Sequence, residues 1–175
     1  MREDMDHCRP LSVEVELQDT QLYATFQAAV NDVRTKYSEV EIVPTALGAI
    51  LRTESELALE TAVHLIAQRV PKLRIGAPSV EYIRGGELFE PVARVCVQVH
   101  GADVQRVSAD AIARRGTSIA IERDTIAFDA PYSELWGYST SLRSLTRGGG
   151  SLVSVRFLEY RPAPRFSDGD DPVHA

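Results

Sequence analysis

Cysteine is nearly absent from this 175-residue chain. Cys8 and Cys96 are the only two, too few for a disulfide framework or a zinc cluster, and the compartment that fits is a reducing cytoplasm. Long apolar runs are also missing. Thr45 to Leu51 and Thr61 to Ala67 are each broken within a few residues, far short of the roughly 18 to 20 that span a membrane. The opening MREDMDHCRP carries acids and no apolar stretch of the secretory kind. No G-x-x-x-x-G-K-[ST] occurs, so there is no backbone cradle for phosphates and no lysine to reach them. Raw material for catalysis is thin. Glu60 and His64 stand four residues apart on one predicted helix, a spacing that can share a metal, but no third ligand is near in sequence and an ion pair is expected instead. Cys96 has no local base and reads as a small buried hydrophobe, His7-Cys8 falls in a terminal stretch, and no serine sits in a nucleophile elbow. Neither an enzyme nor a cofactor or metal is expected.

What is present is an ordinary globular composition, 44% hydrophobic and 25% charged, enough for a packed core. The net charge of −6 argues against a protein that coats nucleic acid, and DNA is not an expected partner. The charge is uneven, however. Residues 86–165 lean slightly positive, and every cation among them is arginine, the side chain suited to bidentate phosphate contacts. The last residues, FSDGDDPVHA, are acidic and aperiodic, and residues 164–175 read as a disordered tail behind the folded part.

Periodicity alternates between two and three to four along the chain. After an extension over residues 1–11, Val13 to Leu17 reads as a half-buried strand. Leu22, Phe26, Ala29, Val30, Val33 and Tyr37 then mark one helix face, with Asp19 or Thr20 as its cap. Val40 to Val43 and Ala46 to Leu51 read as strands. Thr53-Glu-Ser-Glu56 has the form of a capping box, with the Thr53 hydroxyl on the Glu56 amide and the Glu56 carboxylate reaching back. The helix behind it ends at Pro71, and Leu73 to Ile75 and Ser79 to Ile83 supply a last strand. Arg84-Gly85-Gly86 is the candidate joint.

The order then repeats: a strand over Val92 to His100, a helix capped by Asp103 and stopped at Gly116, and strands Thr117 to Glu122 and Ile126 to Ala130 around a turn at Arg123-Asp124. A helix opened by Pro131 and a strand from Ser151 to Tyr160 complete it. The prediction is an α+β protein of two tandem ferredoxin-like domains, each a split βαβ unit of order βαββαβ, over residues 12–84 and 87–163. Each unit is small for independent stability. The two are therefore expected to pack together, burying Cys96 and Gln98 at the joint.

One stretch is specific enough to name a resemblance. Pro131-Tyr-Ser-Glu-Leu-Trp-Gly-Tyr-Ser-Thr-Ser-Leu-Arg-Ser-Leu-Thr-Arg-Gly-Gly-Gly150 resembles the last helix and glycine-rich loop of the elongation factor G C-terminal domain, with Trp136 where that family usually has phenylalanine. Ala113-Arg-Arg-Gly116 is similar to the family's arginine-arginine-glycine helix end. Upstream, Ser55-Glu-Leu-Ala-Leu-Glu60 and Ile75-Gly-Ala-Pro-Ser-Val-Glu-Tyr82 resemble the preceding split βαβ domain of the same translational GTPase, with Ser55, Ala58 and Ala77 departing from its pattern. The family's inserted domain would lie between the units, where eight residues separate Tyr82 from Pro91.

The resemblance implies a non-catalytic translation-factor-like protein bound to the ribosome at the factor-binding region of the large subunit. By that resemblance Arg114, Arg115, Arg143 and Arg147 are the expected RNA contacts, against the plainer reading that Arg143 pairs with a carboxylate inside the domain while the other three are solvated. The glycine run has two readings as well, an anion-binding nest or a helix stop. Two alternatives stand beside ribosome binding: a regulatory module that kept the fold and receives a separate protein or a second copy, which Ala58 and Ala77 favour, and the non-GTPase half of a split factor.

Overall fold

The computed structural model describes residues 8–85 and 87–164, which form two sheets, each covered on one face by two helices. In the first unit β1 (Leu11–Leu17) buries Leu11, Val13, Val15 and Leu17 and turns the intervening residues outward. A short 3-10 turn over Thr20–Leu22, capped by the Asp19 carboxylate on the Gln21 amide, leads into α1 (Tyr23–Lys36). This helix buries Phe26, Ala29, Val30 and Val33, the face its sequence spacing predicts. Strands β2 (Glu41–Pro44) and β3 (Gly48–Thr53) precede α2 (Glu56–Arg69). Then β4 (Leu73–Ile75) and β5 (Ser79–Val80) return along the free edge of β1 as one interrupted strand. The sheet order is β2-β3-β1-β4, all antiparallel.

The second unit repeats that topology. β6 (Ile83–Gly85) and β7 (Glu87–Gln98) form a hairpin, α3 (Val104–Ala113) follows, and β8 (Thr117–Glu122) and β9 (Thr125–Pro131) meet at the Arg123-Asp124 turn. After α4 (Tyr138–Leu145), β10 (Ser151–Pro162) pairs with β7 as the outer strand, giving the order β10-β7-β9-β8. Both orders are those of a split βαβ unit, so the chain is a tandem ferredoxin-like α+β protein.

Several local expectations shift. Arg84 and Gly85, expected at a loose joint, lie in β6 and pair with the second sheet, while Gly86 falls outside the described residues. So do His7, the acidic tail beyond residue 164 and most of the N-terminal extension. Ser55, not Thr53, caps α2: its hydroxyl accepts from the Ala58 amide at 3.3 Å, and Thr53 ends β3 with its hydroxyl accepting the Ser55 amide at 3.2 Å. The expected helix from Pro131 is instead a 3-10 turn, Tyr132–Glu134, and then α4, separated by Gly137 at φ +64. Gly116 does stand beyond α3, but the left-handed residue there is Arg115 at φ 60. Glycine is required at 116 for space, since a Cβ would lie 2.4 Å from the Ala111 carbonyl oxygen.

The buried residues of both units belong to one contiguous apolar cluster. The contact runs between the β3–α2 turn of the first unit and the Tyr132–Gly137 turn and outer strand of the second. Two carboxylates join them through backbone N–H groups. Glu54 accepts from the Phe157 amide at 2.9 Å, and both oxygens of Glu56 accept from the Gly137 amide at 2.9 and 3.0 Å. Cys8 and Tyr160 add a thiol–phenol contact of 3.3 Å. Cys96 and Gln98 are not at this joint. They lie on the open face of the second sheet, Cys96 half-buried and Gln98 exposed, because Val95 and Val97 take the helix-facing positions of β7.

Candidate binding surface

The four arginines singled out in the sequence fall into two pairs with different surroundings. Arg114 and Arg115 end α3 and are held by their own chain. The Arg114 guanidinium donates to the Asp110 carboxylate at 3.0 Å and to the Glu134 carbonyl at 2.6 Å, and lies 4.7 Å above the Tyr138 ring. Burial pushes the Tyr138 phenol up to about 12, so the ring under that cation is neutral at physiological pH. Arg115 donates to the buried Glu90 carboxylate and approaches Glu134 at 3.5 Å. With Glu90 only 3% exposed, this pair fixes the turn between α3 and β8 to the second sheet.

Arg143 and Arg147 sit on α4 and the turn behind it. Both are exposed, and among the described residues neither has a carboxylate partner. The loop that presents Arg147 is closed by hydrogen bonds of its own. Gly148 donates to the Arg143 carbonyl at 2.7 Å, Gly149 to the Thr146 carbonyl at 2.9 Å, and Gly150 to the buried Thr146 hydroxyl at 2.7 Å. All three glycine N–H groups are therefore used within the loop. The run closes a helix end and does not leave the convergent free donors of an anion nest.

Between the units lies a groove of about 550 Å³ whose walls are the N-terminal turn of α2, the N-terminal half of α4 and the edge of β10. Arg143 faces it, in company with Glu54, Glu56 and Glu60. Burial raises the Glu56 carboxyl above the ordinary range, the Gly137 N–H opposes that rise, and the neighbouring Glu60 adds to it. Trp136, the one tryptophan, is half-buried against the core and lines the groove. Sequence reasoning did not find this groove, because it joins residues some eighty positions apart.

The other candidates resolve simply. His64 hydrogen-bonds Gln68 at 2.8 Å, in place of the expected pairing with Glu60. No group of three metal-binding side chains is assembled among the described residues. Burial pushes the Cys8 thiol up, which disfavours the reactive thiolate. No helix among the described residues is long and apolar enough to cross a membrane.

Comparison with known proteins agrees with this geometry. Residues 87–167 match the family model described as the elongation factor G C-terminus. Among curated proteins, elongation factor G of Aquifex pyrophilus is 35% identical over 45% of this chain, and elongation factor G 1 of Bdellovibrio bacteriovorus is 33% identical over 64% of it. The mitochondrial ribosome-releasing factor 2 of Danio rerio is 28% identical over 78%. The chain spans 12%, 15% and 18% of the length of those three relatives. A crystal structure of a Thermus thermophilus protein superposes with a TM-score of 0.58 over 90% of this chain and 41% of that one, at 14% identity, and so speaks for the fold alone. The second unit is thus a match to the elongation factor G C-terminal domain, and the chain is similar to the C-terminal part of that translation factor.

Proposed function

We propose that this protein is a non-catalytic, ribosome-associated binding module that uses the α4 end of its second unit against ribosomal RNA at the factor-binding region of the large subunit. The observation that supports the reading is the coincidence of two facts: residues 87–167 match the elongation factor G C-terminus, and Arg143 and Arg147 within that match are exposed, with no carboxylate partner among the described residues. A guanidinium already held by a carboxylate must break that pair to grip a phosphate, whereas a solvated one loses only water. Arg143 and Arg147 are accordingly the phosphate contacts in this reading, and Arg114 and Arg115 are structural.

The test is sedimentation with ribosomes. The protein is expected in the ribosomal pellet at low salt and in the supernatant as salt rises. The Arg143→Glu/Arg147→Glu variant is expected to fold normally, since neither side chain has a carboxylate partner among the described residues, and to lower the slope of log affinity against log salt by about 1 to 2. No co-sedimentation at low ionic strength, or unchanged co-sedimentation of the variant, refutes the reading. One observation favours a second reading as a protein-interaction module: two of the four expected cations are neutralised internally in a chain of net charge −6. A defined protein partner recovered after nuclease treatment distinguishes that reading.

A further inference from the structure

The groove between the units has an open sheet edge along one wall. β10 pairs with β7 on one side only, and its other side is the outer edge of the second sheet. The Phe157 N–H points outward, because Glu54 of the first unit takes it at 2.9 Å. Val155 stands two residues away with no irregularity between them, so its N–H and carbonyl point the same way, into the groove. Glu54 ends the free edge at Phe157, much as a charged side chain protects an exposed strand, and leaves Ser154 and Val155 accessible before the register irregularity between Leu152 and Ser154.

The walls beside that edge are chemically uneven. Leu57 is 73% exposed and Val153 is 59% exposed, both large apolar side chains at the groove, with Trp136 behind them. The charges there are three carboxylates and one cation: Glu54, Glu56 and Glu60 against Arg143. Glu54 and Glu56 are committed to backbone N–H groups across the joint, whereas Glu60 has no ion-pair partner among the described residues. Exposed apolar side chains beside an unpaired strand edge, under a negative potential, match one kind of occupant: an extended chain whose alternate side chains are apolar and basic.

The geometry points to this groove as a docking site for an extended basic peptide of a partner protein, whose main chain adds to the edge of β10 at Ser154–Val155, beside the register irregularity between Leu152 and Ser154. The main chain of the peptide pairs with Val155, its apolar residues cover Leu57, Val153 and Trp136, and its cations face Glu60. The site shares Arg143 with the proposed RNA contact but is otherwise distinct from the exposed Arg147 turn, and the inference does not rest on ribosome binding. A second copy of this chain carries the same net charge of −6, and RNA entering the groove would meet three carboxylates against the one cation Arg143, so neither fits as well.

Trp136 is the only tryptophan and lines the groove, so its intrinsic fluorescence reports occupancy directly. The probes are ten-residue peptides alternating valine with lysine, the same with glutamate for lysine, and the lysine peptide N-methylated along its pairing edge. The full chain is expected to give a saturable Trp136 change with the lysine peptide, and responses at least about tenfold weaker with the other two. Glu60→Lys is expected to weaken the lysine peptide by about tenfold with its far-ultraviolet circular dichroism unchanged, since Glu60 is exposed and makes no ion pair among the described residues. Leu57→Asn provides a second variant with the same expectation. Equal response to the acidic or N-methylated peptide overturns the proposal. So does undiminished binding by both variants, saturation by an oligouridylate at the same site, or a concentration-dependent dimer that masks Trp136 without peptide.

Discussion

At the scale of single residues, the most instructive side chain is Glu56. Its sequence context marks it for the capping box of α2, yet both of its oxygens accept from Gly137 in the other unit. Glu56 sits partly buried there, and burial raises its carboxyl above the usual 4.5. An acid whose folded value is raised contributes stability below its unfolded value and loses it as pH climbs through the folded one. The Glu56→Gln variant keeps an acceptor for Gly137 without the charge. Relative to that variant, wild type should therefore lose unfolding free energy as pH rises above 4.5, through the raised titration of Glu56. Urea titrations at several pH values read the difference, and a wild-type advantage that grows with pH contradicts the account.

The elements themselves are largely legible from periodicity. α1 buries Phe26, Ala29, Val30 and Val33, and β1 buries every second residue from Leu11, as the spacing of apolar residues requires. Where expectation and structure part, a tertiary partner overrides a local rule. Two hydroxyls two residues apart, Thr53 and Ser55, compete for the cap of α2, and the strand pairing of Thr53 with Leu11 removes it from the contest. Ser55→Ala should thus cost about 1 kcal/mol, the ordinary worth of an N-cap, and chemical denaturation measures it. A cost near zero would return the cap to Thr53. Likewise the Pro131 helix is broken because Gly137 adopts a left-handed backbone to present its N–H to Glu56. A glycine inside a helical pattern is the one sequence sign of that break. Among the expected contact residues, the plainer sequence reading pairs Arg143 with a carboxylate and leaves the others solvated, and the structure reverses this: Arg114 and Arg115 are the paired ones, and Arg143 has no carboxylate partner among the described residues. The split of Arg114 and Arg115 from Arg143 and Arg147 depends on where Asp110, Glu90 and Glu134 come to lie, which only the fold determines.

For the whole molecule, the two units share one apolar cluster and exchange hydrogen bonds through Glu54 and Glu56. Units of this size bury too little surface to be robust alone. Thermal unfolding is accordingly expected to be one cooperative transition. The Glu54→Ala/Glu56→Ala variant leaves two backbone N–H groups at the joint without their acceptors, at about 1–3 kcal/mol each for buried donors, and should broaden or divide that transition. Calorimetry decides it: a variant that melts as sharply as wild type means the apolar contact alone couples the units.

The thiol–phenol contact has a topological corollary. Cys8 opens the described chain and Tyr160 lies near its close, and their side chains touch at 3.3 Å. The described part of the chain thus opens and closes near one spot, so its path is nearly a closed ring. A ring can be cut elsewhere, and the Arg123-Asp124 hairpin, exposed and remote from the joint, is the natural place to reopen it. The same architecture can then be written from a different starting residue, with any fused partner carried on the far side from the groove.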